Sequence, residues 1–163
     1  MNNFMQGIYV AQNPSKYIGD STKIVFRSSY ERIFMAWADI TYEILAWSSE
    51  TTHVEYFDPT RNKQRKYIVD FTIQSYNKHG DIKTTLIEVK PFSQSKSTPP
   101  KRGRKSDKTY NAEVVTWRTN QAKWNAAKIY AEERGWAFIV LTEKDLLPGG
   151  ATIKSTFNKK KTK

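Results

Sequence analysis

YIVDFTIQSYNKHGDIKTTLIEVKP, residues Tyr67 to Pro91, decides how the chain is read. It divides into two strands and a polar turn. The first strand alternates from Tyr67 to Ile73, and the second runs from Thr84 to Lys90, where Pro91 ends the ladder. The link from Ser75 to Asp81 carries Asn77, Gly80 and Asp81, all turn formers. In an antiparallel hairpin a turn centred on His79 sets Asp70 opposite Glu88, and opposed residues share a face. Lys90 shares that face two residues on, while Ile87 and Val89 point to the other. One bulge would undo the alignment.

Two carboxylates and an ammonium side by side, backed by an apolar face, suit a hard divalent cation. Mg²⁺ takes oxygen ligands, keeps several waters and completes its shell from a phosphate. It polarises a phosphodiester and lowers the pKa of an attacking water, and Lys90 is placed to orient that water or steady the developing charge. The plainer reading is a cross-strand ion pair on a solvent face, which contributes little. The D…ExK spacing alone is loose and matches many chains by chance.

Composition narrows the choice of partner. The 163 residues suffice for one domain with a sizeable core. Lys and Arg number 27 against 16 Asp and Glu, a net charge of +11, which favours a polyanion, most simply nucleic acid. The chain has no cysteine, so disulfides, thiol nucleophiles and Cys-based zinc sites are excluded. His53 and His79 are the only histidines, which argues against His-rich metal centres. No secretory signal is visible, and the longest apolar runs are far short of a membrane span. The expected setting is a soluble, cytoplasmic protein.

Outward from the hairpin, Met1 to Thr22 is a turn-rich arm punctuated by Asn13-Pro14-Ser15 and Gly19-Asp20. Lys23 to Arg27 leads into a helix over Ser28 to about Ala38, with Ile33, Phe34, Trp37 and Ala38 as its apolar stripe. Ser28 and Glu31 fit a capping box. Glu31 therefore has two compatible readings, a helix cap or a carboxylate that joins Asp70 and Glu88 from the first turn. Ile44 to Trp47 and His53 to Phe57 read as short strands. Asp58-Pro59 then breaks the chain, and Arg61, Lys63, Arg65 and Lys66 form a basic turn suited to phosphate contacts, or a solvated loop.

Residues 92–108 have loop composition, with Pro99-Pro100 ahead of Lys101, Arg102, Gly103, Arg104 and Lys105. Arg102-Gly103-Arg104 resembles the centre of an AT-hook without its full proline pattern, and a nonspecific phosphate-binding loop is the simpler reading. A long helix over Glu113 to Arg134 buries Trp117, Trp124, Ala127 and Ala131, with Gly135 as its C-terminal cap. Asn120 and Lys123 lie one turn apart and either face the cleft or are ordinary surface polars. Trp136 to Leu141 is an apolar strand, and Thr142 opens a short helix ending before Pro148. Domain bounds follow: an arm over 1–22, a core over 23–150 and a basic tail over 151–163. The element order gives an α/β sandwich with a mixed central sheet flanked by helices.

With Glu31, Asp70 and Glu88-Val89-Lys90 placed in order, the chain resembles a PD-(D/E)XK nuclease. It is more similar still to the head completion nucleases of T4-like tailed phages, which share features with the TnsA transposon-end endonuclease. Ser15-Lys16-Tyr17, Gly19-Asp20, Tyr30-Glu31, Ala46-Trp47, Ser49-Glu50-Thr51, Arg65-Lys66-Tyr67, Glu88-Val89-Lys90-Pro91, Lys123-Trp124 and Leu141-Thr142-Glu143 carry the likeness. It spans about Ser15 to Leu147. Val69 stands before Asp70 where the motif has proline, and the loop from Lys96 to Lys108 has no counterpart.

The resemblance implies a restriction-endonuclease-like core and a Mg²⁺- (or Mn²⁺-) dependent deoxyribonuclease acting on double-stranded DNA during head maturation, before tails join. Glu31, Asp70 and Glu88 would be metal ligands and Lys90 the catalytic lysine. Partners would be DNA and phage portal or head-completion proteins, in the host cytoplasm or at the phage head, with no membrane. Two other functions compete: a noncatalytic DNA-binding head-connector protein, and a junction-resolving or repair nuclease of the same fold.

Overall fold

A computed structural model describes residues 6–95, 98–99, 103 and 105–146. In chain order the elements are β1 (Gly7–Ile8), a 3₁₀ turn (Pro14–Lys16), β2 (Val25–Phe26), α1 (Ser29–Ile40), β3 (Ile44–Ser49) and β4 (His53–Asp58). There follow β5 (Lys63–Ile68), β6 (Phe71–Tyr76), β7 (Ile82–Val89), α2 (Phe92–Ser95), α3 (Asp107–Glu132), β8 (Ala137–Leu141) and α4 (Glu143–Leu146).

The central sheet runs β3-β6-β7-β8. Its first three strands are antiparallel and β8 is parallel to β7, so the sheet is mixed. The pairing of β6 with β7, from Phe71↔Ile87 to Tyr76↔Ile82, is centred on residue 79, as a turn at His79 requires. The ladder ends one step short of Asp70, which this register, if continued, would set opposite Glu88. The turn is tighter than the sequence suggests. Strand pairing persists through Tyr76 and resumes at Ile82, and Asn77 closes the link by accepting the N–H groups of His79 and Asp81.

The expected unbroken strand from Tyr67 to Ile73 is corrected: it is two strands. β5 pairs with β4, whereas β6 pairs with β3 and β7. Between them the chain changes partners, with Val69 N–H donating to the Thr52 carbonyl at 3.0 Å and Glu50 N–H to that of Asp70 at 3.0 Å. Side-chain alternation cannot reveal such a switch, because the hydrophobic period continues through it.

Two cores flank the sheet. On one side Phe34, Met35 and Ala38 of α1 pack on Phe71, Ile73, Ile87 and Val89. On the other, Ala127 and Ala131 of α3 pack on Leu86, Val69, Tyr67, Val54 and Tyr56. Ile87 and Val89 therefore face α1, and Leu86 and Glu88 face α3. α3 starts at Asp107, with the Ser106 hydroxyl accepting the Thr109 N–H, earlier than its apolar stripe indicates. Together with the helical turn of α2, this removes both ends of the expected 92–108 loop. Gly135 ends the helix region at φ 68°, a conformation that costs a glycine little.

The N-terminal arm is locked by Asp39, which is fully buried at the end of α1. Its carboxylate accepts the Tyr9 hydroxyl at 3.0 Å and the N–H groups of Gln12 and Asn13 at 2.6 and 3.0 Å. Lys16 donates to the carbonyls of Ala38, Asp39 and Thr41, placing a cation at the negative end of the helix. No helix among the described residues is long and apolar enough to cross a membrane.

Candidate active site

Glu88 is 2 % exposed, near the end of β7. Its carboxylate is held from two sides: the Tyr67 hydroxyl donates to Oε2 at 2.5 Å, and Lys90 Nζ lies 3.0 Å from Oε1. Asp70 occupies the partner switch between β5 and β6, and its Oδ2 accepts the Val89 N–H at 2.8 Å. The strand register thus puts Asp70, Glu88 and Lys90 on one spot, with a backbone donor fixing the aspartate.

Burial and then the Glu88 charge push the Asp70 carboxyl well above the usual carboxylate range, against the pull of Lys90 and the Val89 N–H. Burial alone would lower the Lys90 pKa, but Glu88 and Asp70 outweigh it and hold the ammonium above its ordinary value. Burial, chiefly, and the Glu88 carboxylate raise the Tyr67 phenol, so it remains a donor. One ammonium therefore faces two carboxylates in a poorly hydrated place, and the negative charge is not fully met. A hard divalent cation fits this donor set, and would take two carboxylate ligands here and the rest from water.

Glu31 is placed differently. The Ser28 hydroxyl accepts the Glu31 N–H at 3.1 Å, the N-cap bond expected from the sequence. In return the Glu31 carboxylate accepts the N–H of Arg27 at 2.7 Å, one residue before the N-cap. It reaches Asp70 and Lys90 only through its charge, as the last of the influences on either. Among the described residues no three Asp, Glu or His side chains cluster closely enough to hold a metal. The structure brings Asp70 and Glu88 together and leaves Glu31 at the rim.

Arg27 also grips Glu50, donating to both carboxylate oxygens at 2.8 and 3.1 Å. Glu50 has φ 54°, unusual for a residue with a side chain, and its N–H anchors the Asp70 carbonyl. Neither its strain nor the support that Tyr67 gives Glu88 was legible in the sequence. A tyrosine in a strand reads as packing, and only the partner switch at Asp70 turns it toward the acids.

The expected basic turn is corrected to a turn plus a strand. Arg61 lies in the turn, while Lys63, Arg65 and Lys66 belong to β5. Strand alternation puts Lys63 and Arg65 on the Tyr67 face and Lys66 on the other. Arg65 pairs with buried Asp58 at 3.3 Å. Lys123 on α3 sits 5.6 Å above the Tyr67 ring, and burial followed by Lys90 lowers its pKa. Asn120, one turn earlier, is buried. Lys105 forms an ion pair with Glu113 at 2.7 Å. Lys101, Arg102 and Arg104 lie outside the described residues.

Comparison with known proteins bears on the family. Residues 41–143 match the family model described as TnsA-like endonuclease N terminal, a span that holds Asp70, Glu88 and Lys90 and begins after Glu31. The chain is 37 % identical over 142 residues to the head completion nuclease of Enterobacteria phage T4, covering 86 % of this chain and 92 % of that relative. By the span of the first match and the identity of the second, this chain belongs to the TnsA-like endonuclease family and is related to a phage head completion nuclease.

Proposed function

We propose that the chain is a Mg²⁺-dependent deoxyribonuclease that hydrolyses phosphodiester bonds of double-stranded DNA during phage head completion, before heads and tails join. The observation that carries this reading is the spot where half-buried Asp70 and buried Glu88 lie together with Lys90 Nζ 3.0 Å from Glu88. The name of the T4 relative supports the phage setting, and the net charge of +11 supports a polyanionic substrate.

Asp70 and Glu88 would hold the cation, which when bound supplies Lewis acidity and charge neutralisation to the reacting phosphodiester. Glu31 becomes a third ligand only by releasing the Arg27 N–H, and otherwise adds negative charge at the rim. Tyr67 fixes one Glu88 oxygen, and Lys90 carries positive charge to the place where the phosphate gains negative charge in the transition state. Lys63, Arg65, Arg61 and Lys123, with Asn120, form the side of the site that meets the DNA backbone, and Lys66 meets it only where the duplex wraps round the sheet edge.

The test is cleavage of linear and circular duplex DNA by purified protein with Mg²⁺ and with chelator. Cleavage that requires the metal and is lost in Glu88→Gln, with DNA binding retained, is the expected result. Folded wild-type protein that cuts nothing with any divalent metal would overturn the reading and favour a DNA-binding connector.

A further inference from the structure

The turn between β4 and β5 meets the middle of α3, where the Thr60 and Thr119 hydroxyls lie 3.3 Å apart. A pocket of about 300 Å³ opens beside this contact, lined by Arg61, Arg65, Thr116, Asn120 and Lys123 among others. Asp58 also lines it, but its carboxylate is committed. Oδ1 accepts the Thr60 N–H and hydroxyl, and Oδ2 faces Arg65. Arg61 is exposed and has no side-chain partner among the described residues.

Asn120 is the informative residue. It is 6 % exposed, and its amide nitrogen is buried with no hydrogen-bond partner. Buried amide donors are costly when unpaired, and an orphan of this kind calls for an explanation. The next buried positions along the same helix are Trp124, Ala127 and Ala131, so an apolar residue would suit packing better. Asn120 also lines the pocket, where its unpaired amide N–H is the donor left for a ligand. Arg65 is spent on Asp58, which leaves Arg61, Lys123 and a neutral donor around one concavity, a set that selects an oxyanion.

We infer that this pocket is a second phosphate subsite, which holds a phosphate group of the DNA strand through Asn120, Arg61 and Lys123. This inference rests on the proposed DNA nuclease and deepens it. Lys123 lies over the Tyr67 ring, and Tyr67 holds Glu88, so the subsite is one side chain away from the acids. A strand with its scissile phosphate at Asp70 and Glu88 would place a neighbouring phosphate here. That phosphate has two sources, a diester within a continuous strand or the terminal phosphate of a DNA end, and the subsite then sets how the enzyme treats ends.

The experiment compares wild type, Arg61→Ala and Asn120→Leu on one duplex prepared as a closed circle, as a line with hydroxyl ends and as a line with phosphorylated ends. Each variant raises KM about tenfold, the factor carried by one hydrogen bond to an ionised oxygen, and kcat falls far less. An equal rise on all three forms assigns an internal diester, and a rise confined to phosphorylated ends assigns a terminal phosphate. Asn120→Leu keeps the wild-type melting temperature, since it removes an unpaired amide, whereas a merely structural Asn120 would lower it. Fluorescence anisotropy of the same duplexes in chelator tests the subsite even if no cleavage occurs, with the same tenfold loss of affinity expected. KM and affinity unchanged in both variants would overturn the subsite, whatever the fate of the nuclease reading.

Discussion

Replacing Tyr67 with Phe isolates the contact that holds the central carboxylate in place. The hydroxyl donates to Glu88 Oε2 at 2.5 Å, and neither residue is more than 4 % exposed. Phe keeps the ring against Val69, Leu86 and Ala127, so the change deletes one hydrogen bond and opens almost no cavity. A hydrogen bond to a charged group is worth about 1.5–3 kcal/mol, and Glu88 cannot recover it from water while buried. Lys90 still meets the other oxygen, which places the expected cost at about 2 kcal/mol. For a chain of this size that corresponds to a fall of roughly 4–8 °C in melting temperature, read by circular dichroism in chelator. Saturating Mg²⁺ should recover part of the loss, because a cation at the pair would engage the carboxylate oxygen that has lost its donor. Turnover should fall about tenfold or more, since Glu88 is then free to leave its working position. A melting temperature within about 1 °C of wild type, together with unchanged turnover, would refute the idea that Tyr67 positions Glu88.

Other perturbations separate the remaining roles. Asp70 has a raised pKa in the folded protein, so its penalty is absent below the unfolded value of about 3.9 and grows as pH rises through the folded value. Asp70→Asn should therefore raise the metal-free melting temperature at pH 7 and lose that gain near pH 3, and Mg²⁺ should stabilise wild type but not the variant. A variant melting below wild type at pH 7 would contradict this. Ser28→Ala should cost about 1 kcal/mol through the lost cap. Glu31→Gln should keep the cap and melt within about 2 °C of wild type, yet lower turnover at least tenfold; unchanged turnover would leave Glu31 as a cap alone. Asp39→Ala strips partners from the Gln12 and Asn13 N–H groups and should cost about 3 kcal/mol. It should also expose Lys16 to trypsin, and resistance equal to wild type would mean the arm is anchored elsewhere.

What the sequence revealed depended on how local the determining interaction is. The hairpin register follows from one turn and from side-chain alternation, so the pairing of β6 with β7 centred on residue 79 was legible in the sequence. The Ser28 cap and the Gly135 stop were legible for the same reason, since each is decided within a few residues. The break at Val69-Asp70 was not, because it depends on which strands lie alongside, and those are set by contacts distant in sequence. Tyr67, Glu50 and Asp39 escaped notice likewise: each looks ordinary until the fold brings its partner near. Residues 63–66 show the opposite error, a charge cluster assigned to a turn although its long side chains are compatible with an edge strand and split across its two faces.

Anomalous diffraction from crystals soaked in Mn²⁺ tests most directly whether Asp70 and Glu88 together bind a cation. A manganese peak bonded to carboxylate oxygens of both residues, and lost in Glu88→Gln crystals, is the predicted result. A peak elsewhere, or none at these two acids at saturating Mn²⁺, would contradict it.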